Sequence, residues 1–224
     1  MSSAHPKTIL FLGATGGCGL SALRRSLDAG FTCIALCRTP SKLASVLLPE
    51  QYPNLLRIAQ GNAHDANDVA RHLVSPMDPT CFGMVTLLGA LGKLRAEKRV
   101  SGNPRILALS TTGISKFARD TPLIIAPLYK GLLHVPHEDK RAMEQLLFAS
   151  NESWTVVRPS FLTNGKEQPS GAVHVGVEDP VKGVEQLAIG YTISREDVGR
   201  WIFENLLQKD GSDEFVRKVA TVTY

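Results

Sequence analysis

Apolar residues in this chain fall into short continuous runs, and between the runs they recur with helical period. Thr8–Leu12 is the first run and reads as a strand buried on both faces. Leu20, Leu23 and Leu27 then share one helical face, with Gly30 just past them as a stop. Phe31–Cys37 is a second strand, a turn at Thr39-Pro40 leads into a short helix from Ser41 to Leu48, and Leu55–Ala59 is a third strand. Asp65 and Asp68 are spaced to cap and charge a helix running to about Val74. Met84–Leu88 and Arg105–Leu109 read as the fourth and fifth strands. Only about 16 residues, Gly89 to Pro104, would join them, a tight crossover that predicts a shortened flank of the sheet. Met143, Leu146 and Leu147 mark a helix from His137 to Ser150, and Trp154–Val157 is a sixth strand ending at Arg158-Pro159. Val173–Val177 and Tyr191–Ile193 follow as short strands. Ser194 caps a helix from Arg195 to Leu207 with Glu196 and Asp197 in its first turn, and Val216–Thr223 closes the sheet.

Strands alternating with helices predict an α/β fold, a doubly wound parallel sheet of Rossmann type. With 224 residues, 43% of them hydrophobic, the chain supplies one sizeable core. The expected organisation is one domain over 1–224, with 159–193 as substrate-side loops in a small C-terminal extension.

Charge and cysteines narrow the class. The net charge of +4 is spread without a long block of one sign, and Lys93, Arg95, Lys98 and Arg99 enclose Glu97 as a solvated segment, so no nucleic-acid arm is expected. Cys18, Cys33, Cys37 and Cys81 form no Cys-x-x-Cys pair and have no histidine at zinc-ligand spacing; neither a metal site nor a disulfide framework is indicated. No stretch approaches the roughly 20 apolar residues of a membrane span. A cytoplasmic protein is expected, a monomer or weak homodimer that acts on a small molecule.

The chemistry begins at Gly13-Ala-Thr-Gly-Gly-Cys-Gly19, between the first strand and its helix. Close approach of backbone to a diphosphate, and the tight turn itself, both favour residues without a β-carbon, which Gly13, Gly16 and Gly19 are. The helix that starts there directs N–H groups and the positive end of its dipole at phosphate. Spacing of three and three departs from the common fingerprint, but the strand before it and the helix and second strand after it supply the required context. No Gly-Lys-Ser/Thr follows, which disfavours a P-loop. An NAD site places an acid about 20 residues beyond the glycines to hold the ribose 2′-hydroxyl, and an arginine there suits NADP. No acid stands between Asp28 and Glu50, whereas Arg38, Thr39, Ser41 and Lys42 all offer donors to phosphate. NADP(H) is therefore the expected cofactor.

Seven segments in order carry a family likeness: the glycine turn, Ala35-Leu-Cys-Arg-Thr-Pro-Ser-Lys-Leu43, Gly61-Asn-Ala-His-Asp65, Leu109-Ser-Thr-Thr-Gly113, Asp139-Lys140, Val157-Arg-Pro-Ser-Phe-Leu-Thr-Asn-Gly165 and Ile193-Ser-Arg-Glu-Asp-Val198. Over nearly its whole length the chain resembles the atypical, NmrA-type branch of the short-chain dehydrogenase/reductase superfamily, NAD(P)H-binding proteins that include biliverdin and flavin reductases. The resemblance implies that Gly13, Thr15, Gly16, Gly17, Cys18 and Gly19 cradle the diphosphate, with Arg38 and Lys42 near the ribose phosphate. It implies Asn62 beside adenine, Leu88 and Gly89 on the adenosine side, and Ser110 and Thr111 at the nicotinamide end. Lys140 would stand near the nicotinamide ribose, and Pro159 to Thr163, including Phe161, would wall the nicotinamide.

One departure bears on chemistry. Mainstream members pair a tyrosine with a lysine four residues later, the lysine lowering the tyrosine's pKa for proton transfer. Here Pro136 precedes Lys140 at that spacing, and neither Tyr129 nor its neighbour Lys130 restores it. Some relatives carry a histidine where this chain has Phe161. His134 and His137, with Glu138, match no zinc spacing and read as a surface pair, although His137 is a candidate proton donor. Ser110 lacks a Gly-x-Ser-x-Gly elbow and reads as a hydrogen-bond donor to a carbonyl rather than a nucleophile. Lys140 has a plainer reading as a helix-surface lysine. The expectation is an NADPH-dependent reductase of a small acceptor such as a flavin, quinone or enone, in which Ser110 or Thr111 polarises the acceptor and the proton comes from solvent, His137 or the substrate. The alternatives are a non-catalytic NADP(H)-binding regulator and a non-redox isomerase or lyase on the same fold.

Overall fold

The computed structural model describes residues 8–72, 78–81, 84–99, 102–123, 134–169, 171–208 and 213–224. The chain forms two compact units, Met1–Ile106 and Leu107–Tyr224.

In the first unit β1 (Thr8–Leu12) is buried from Ile9 onward and runs parallel to β2 (Thr32–Cys37), which runs parallel to β3 (Leu56–Gln60). Between β1 and β2 lies α1 (Gly17–Asp28), whose Leu23 and Leu27 are enclosed as their spacing predicts. It ends in a Schellman turn: Phe31 N–H donates to the Ser26 carbonyl (2.9 Å) and Gly30 N–H to that of Leu27 (2.9 Å), with Gly30 at φ +83°. After α2 (Pro40–Ala44) and β3, the Asp65 carboxylate accepts the N–H groups of Asn67 and Asp68 and so caps α3 (Ala66–His72).

The fourth strand is not where the apolar pattern puts it. Met84–Leu88 is the start of a helix, α4 (Met84–Ala96), while β4 is Asp78–Cys81, parallel to β1 with Pro79 opposite Leu10. Met84, Leu87, Leu91 and Leu94 are all enclosed while Val85 is 70% exposed, a 3.6-residue period carried over 13 residues. A window of five residues cannot separate that pattern from a buried strand. The predicted crossover of about 16 residues therefore does not exist; the link from β4 to β5 (Arg105–Leu109) contains a full helix.

The second unit orders its strands β5, β6 (Ser153–Pro159), β11 (Lys218–Thr223), β8 (His174–Asp179) and β9 (Gly183–Gln186). β11 is parallel to β6 and antiparallel to β8, so it lies inside this set rather than closing it; β8 matches the strand expected at Val173–Val177 within two residues, and β9, which pairs with it as an antiparallel hairpin, has no counterpart in the apolar pattern. A separate two-stranded parallel ladder joins β7 (Phe161–Thr163) to β10 (Thr192–Ser194) just beyond the carboxyl end of β6. α5 (His134–Ala149) sets Phe148 against Trp154 of β6, with ring centroids 5.0 Å apart. α6 (Arg195–Ile202) is capped by the Ser194 hydroxyl, which accepts Asp197 N–H at 3.0 Å, and it runs on into a wider turn at Phe203–Leu207.

Candidate functional site

In the first unit the carboxyl end of β1 opens into Gly13, which at φ +99° holds a conformation suited to glycine. Thr15 and Gly16 are exposed, Gly17 is half-buried, and Cys18 is turned inward at the first turn of α1. The helix has a glycine, Gly16, at its N-cap, so no side chain caps it, and no acid in its first turn competes with an incoming anion.

Two glycines of this loop serve different needs. A β-carbon on Gly19 would stand 2.7 Å from the Gly13 carbonyl oxygen, so the strand and helix can approach this closely only without one. On Gly16 a β-carbon would meet nothing within 4 Å, and φ of 178° suits any residue. Packing within the chain does not require glycine there. The space a side chain would fill lies before the N-terminus of α1, where a diphosphate needs backbone contact, so the loop fits a dinucleotide.

Arg38 directly follows β2 and is exposed; Thr39 is the N-cap of α2, and Lys42 is exposed on that helix. Asn62 is exposed at the end of β3, where its side-chain oxygen accepts His64 N–H (3.1 Å) and its own N–H donates to Asp68 (2.9 Å). Leu88 and Gly89 lie in the second turn of α4 and not in a strand.

In the second unit the carboxyl ends of β5 and β6 run side by side: Ser110 N–H donates to the Val157 carbonyl (2.7 Å) and Thr112 N–H to that of Pro159 (3.1 Å). The Ser110 and Thr112 side-chain oxygens are buried and have no hydrogen-bond partner among the described residues. Lys140 donates from Nζ to the Leu109 carbonyl (3.1 Å), so it is no idle surface lysine but is tied to the strand end one residue before Ser110. Thr111 is half-buried; Pro159 ends β6, and Phe161 in β7 is 54% exposed. His137 is buried, which corrects the surface-pair reading: its helix turns it inward. The His134 side chain, Tyr129 and Lys130 lie outside the described residues.

Sequence reasoning missed the charges beneath this surface. Arg158 is enclosed on β6 and makes two hydrogen bonds to Glu144 of α5 (2.9 and 2.6 Å) and one to Glu178 of β8 (3.0 Å). Burial alone would lower its pKa, but Glu144, Glu178 and Asp120 outweigh it and raise the value further. Ser115 donates to the other Glu178 oxygen, and Asp120, also buried, accepts Gly113 N–H at 2.8 Å. A second clasp centres on Asp197, which receives the Ser194 and Tyr224 hydroxyls, Gln168 N–H and Arg200. Arg200 reaches on to Glu167 and the Gln168 carbonyl, and so holds the loop after β7 against α6. Glu196 and Asp197 read in sequence only as favourable first-turn acids, which concealed this role.

A glycine turn between a buried strand and an uncapped helix is the geometry of a nucleotide-binding α/β protein. Residues 13–209 match the family described as NAD(P)H-binding, and the chain belongs to that family. It is 38% identical to the reductase pytE of Aspergillus terreus, with all of both chains covered, and 30% identical to the oxidase pynE of Aspergillus niger, over 96% of this chain and 98% of that one. The pytE alignment runs over 271 positions against the 224 residues here, so that relative has positions this chain lacks. Among solved structures, a short-chain dehydrogenase/reductase from Veillonella parvula in complex with NADP superposes with a TM-score of 0.75, covering 98% of this chain and 95% of that one at 17% identity. ChuY, an anaerobillin reductase from Escherichia coli O157:H7, gives 0.67, covering 98% and 97% at 17% identity. Among the described residues no group of His, Cys, Asp or Glu suits a metal ion, and no helix is long and apolar enough to cross a membrane.

Proposed function

We propose that this protein is an NADPH-dependent reductase of a small acceptor. The observation that carries the reading is Gly16: the chain's own packing leaves it free to be any residue, yet it is glycine at the one point where a diphosphate needs bare backbone. Arg38, standing where NAD-binding members place an acid, favours the phosphorylated cofactor. The relative named a reductase supports hydride chemistry, which the bound cofactor would supply.

The chain's own residues bind and orient. Gly13, Thr15, Gly16, Gly17, Cys18 and Gly19 hold the diphosphate, Arg38 and Lys42 the 2′-phosphate, and Asn62 borders adenine. Lys140 steadies the strand end that presents Ser110 and Thr111, and those hydroxyls donate to the acceptor's oxygen. Pro159 and Phe161 form the apolar wall against the nicotinamide. A cytosolic location belongs to the same proposal, since Cys18, Cys33 and Cys37 are free thiols, as a reducing compartment keeps them.

Titration of the purified protein with NADPH and NADH tests the cofactor. Tighter binding of NADPH is expected, with Arg38→Ala abolishing the preference; equal affinity of the parent for both would refute it. Pro136, standing where a tyrosine would act, favours a second reading as a non-catalytic NADP(H)-binding regulator. Oxidation of NADPH with any of a panel of quinones, flavins and enones separates the two.

A further inference from the structure

We propose that Asp120 is the proton donor that stands in for the missing tyrosine. This rests on the reductase reading above, because reducing a carbonyl or conjugated acceptor requires a proton as well as a hydride.

Asp120 lies in the loop that leaves β5 immediately after Ser110, Thr111 and Thr112, and that loop is closed by Gly113 N–H donating to Asp120 Oδ1 at 2.8 Å. The residue is 6% exposed, and its other oxygen, Oδ2, is buried without a hydrogen-bond partner among the described residues. A buried carboxylate oxygen with no donor is costly and is rarely left so without a purpose. Asp120 and Thr121 line an open cleft of about 390 Å³ together with Ser115, Lys116, Phe117 and Arg119. Acceptors in folds of this kind bind beyond the carboxyl ends of the strands, where this loop stands.

The charged groups around the carboxyl are Arg158 of β6, Glu178 of β8, and Lys116 and Arg119 of its own loop. Arg158 is already engaged by Glu144 and Glu178. Burial is the largest influence on Asp120 and raises its pKa, Glu178 adds to the rise, and the pull of Gly113 N–H and Arg158 does not cancel it. A carboxyl held this way keeps a proton to higher pH than an ordinary aspartate. With NADPH bound, the cofactor would supply hydride to the acceptor carbon, and the Asp120 carboxyl would give its proton to the acceptor's oxygen or nitrogen. Oxidised nicotinamide, reduced acceptor and an Asp120 carboxylate remain, and the carboxylate regains its proton from water through the cleft.

Asp120→Asn keeps an acceptor for Gly113 N–H and removes the acid. Two hydride acceptors are compared: menadione, whose reduction takes up a proton, and the 10-methylacridinium cation, which takes a hydride alone. With menadione the variant's kcat falls about 100-fold, while NADPH affinity, melting temperature and the acridinium rate stay near the parent's, and Asp120→Glu restores part of the loss. An equal loss with both acceptors, an undiminished menadione rate, or the same loss from His137→Gln alone overturns the proposal. Independently of turnover, the protonated-carboxyl infrared band that Asp120→Asn removes is expected to persist to higher pH than that of an ordinary aspartate, about 4, and a band lost at or below that pH also overturns the proposal. Parent protein that binds NADPH and reduces neither acceptor counts against the reductase reading, and the infrared band then decides the state of Asp120 alone.

Discussion

Replacing Arg158 with leucine would expose how much of the second unit depends on one buried cation. The Arg158 side chain is 3% exposed and makes three charge-assisted hydrogen bonds to Glu144 and Glu178, whose side chains are 4% and 10% exposed. Arg158→Leu leaves two carboxylates desolvated and facing one another without a counter-charge. Removing one partner of a buried ion pair costs about 3–5 kcal/mol, most of it the burial of what remains. Against a typical stability of about 5–15 kcal/mol this is a large share. At about 2–4 °C per kcal/mol for a chain of this size, the melting temperature should fall by roughly 6–20 °C. Urea unfolding followed by tryptophan fluorescence measures it, since Trp154 sits on the same strand and is 1% exposed. The triple variant Arg158→Leu, Glu144→Leu, Glu178→Leu should recover most of the loss, because apolar groups of similar volume carry no such penalty. A single-variant loss below about 1 kcal/mol, or a triple variant no more stable than the single one, would refute the argument that desolvation governs this cluster.

The two loop glycines separate folding from binding. Gly19→Ala drives a methyl to 2.7 Å from the Gly13 carbonyl and should cost about 1–3 kcal/mol of stability, measured by urea unfolding, together with NADPH affinity. Gly16→Ala should leave the unfolding curve in place yet weaken NADPH at least tenfold by calorimetry; unchanged affinity in that variant would remove the case for a diphosphate at this loop. The Asp197 clasp predicts a pH dependence. Burial raises that carboxyl's pKa, but Ser194, Tyr224, Gln168 N–H and Arg200 together bring it below the usual value. A depressed folded-state pKa contributes stability above the unfolded value of about 4 and loses it as pH falls through the folded one. Unfolding free energy should drop on acidification below about pH 4, and Asp197→Asn should flatten that part of the profile.

Where the sequence was legible, one physical signal dominated each element. β1 and β5 have the bounds that their apolar runs predict, because a strand covered on both faces shows no alternation to blur its ends. α1 is bounded by glycines that take up positive φ, Gly17 at +61° and Gly30 at +83°. β4 was illegible for the opposite reason. Asp-Pro-Thr-Cys contains no apolar run, and Pro79 has no N–H to give a ladder, so what makes it a strand is its pairing with β1, which no local pattern encodes. The next apolar run, Met84–Leu88, reads locally as that strand because its helical period shows only over the full 13 residues of α4. The candidate site divides in the same way. Glycine loops and strand-end hydroxyls announce themselves by spacing, whereas Arg158, Glu144, Glu178 and Asp120 lie far apart in the chain and meet only in the fold. A buried arginine looks like any other basic residue until its partners arrive. The group that most needs explaining chemically, an aspartate in the loop after β5 with one buried carboxylate oxygen unpartnered among the described residues, therefore shows in sequence as one more polar loop residue.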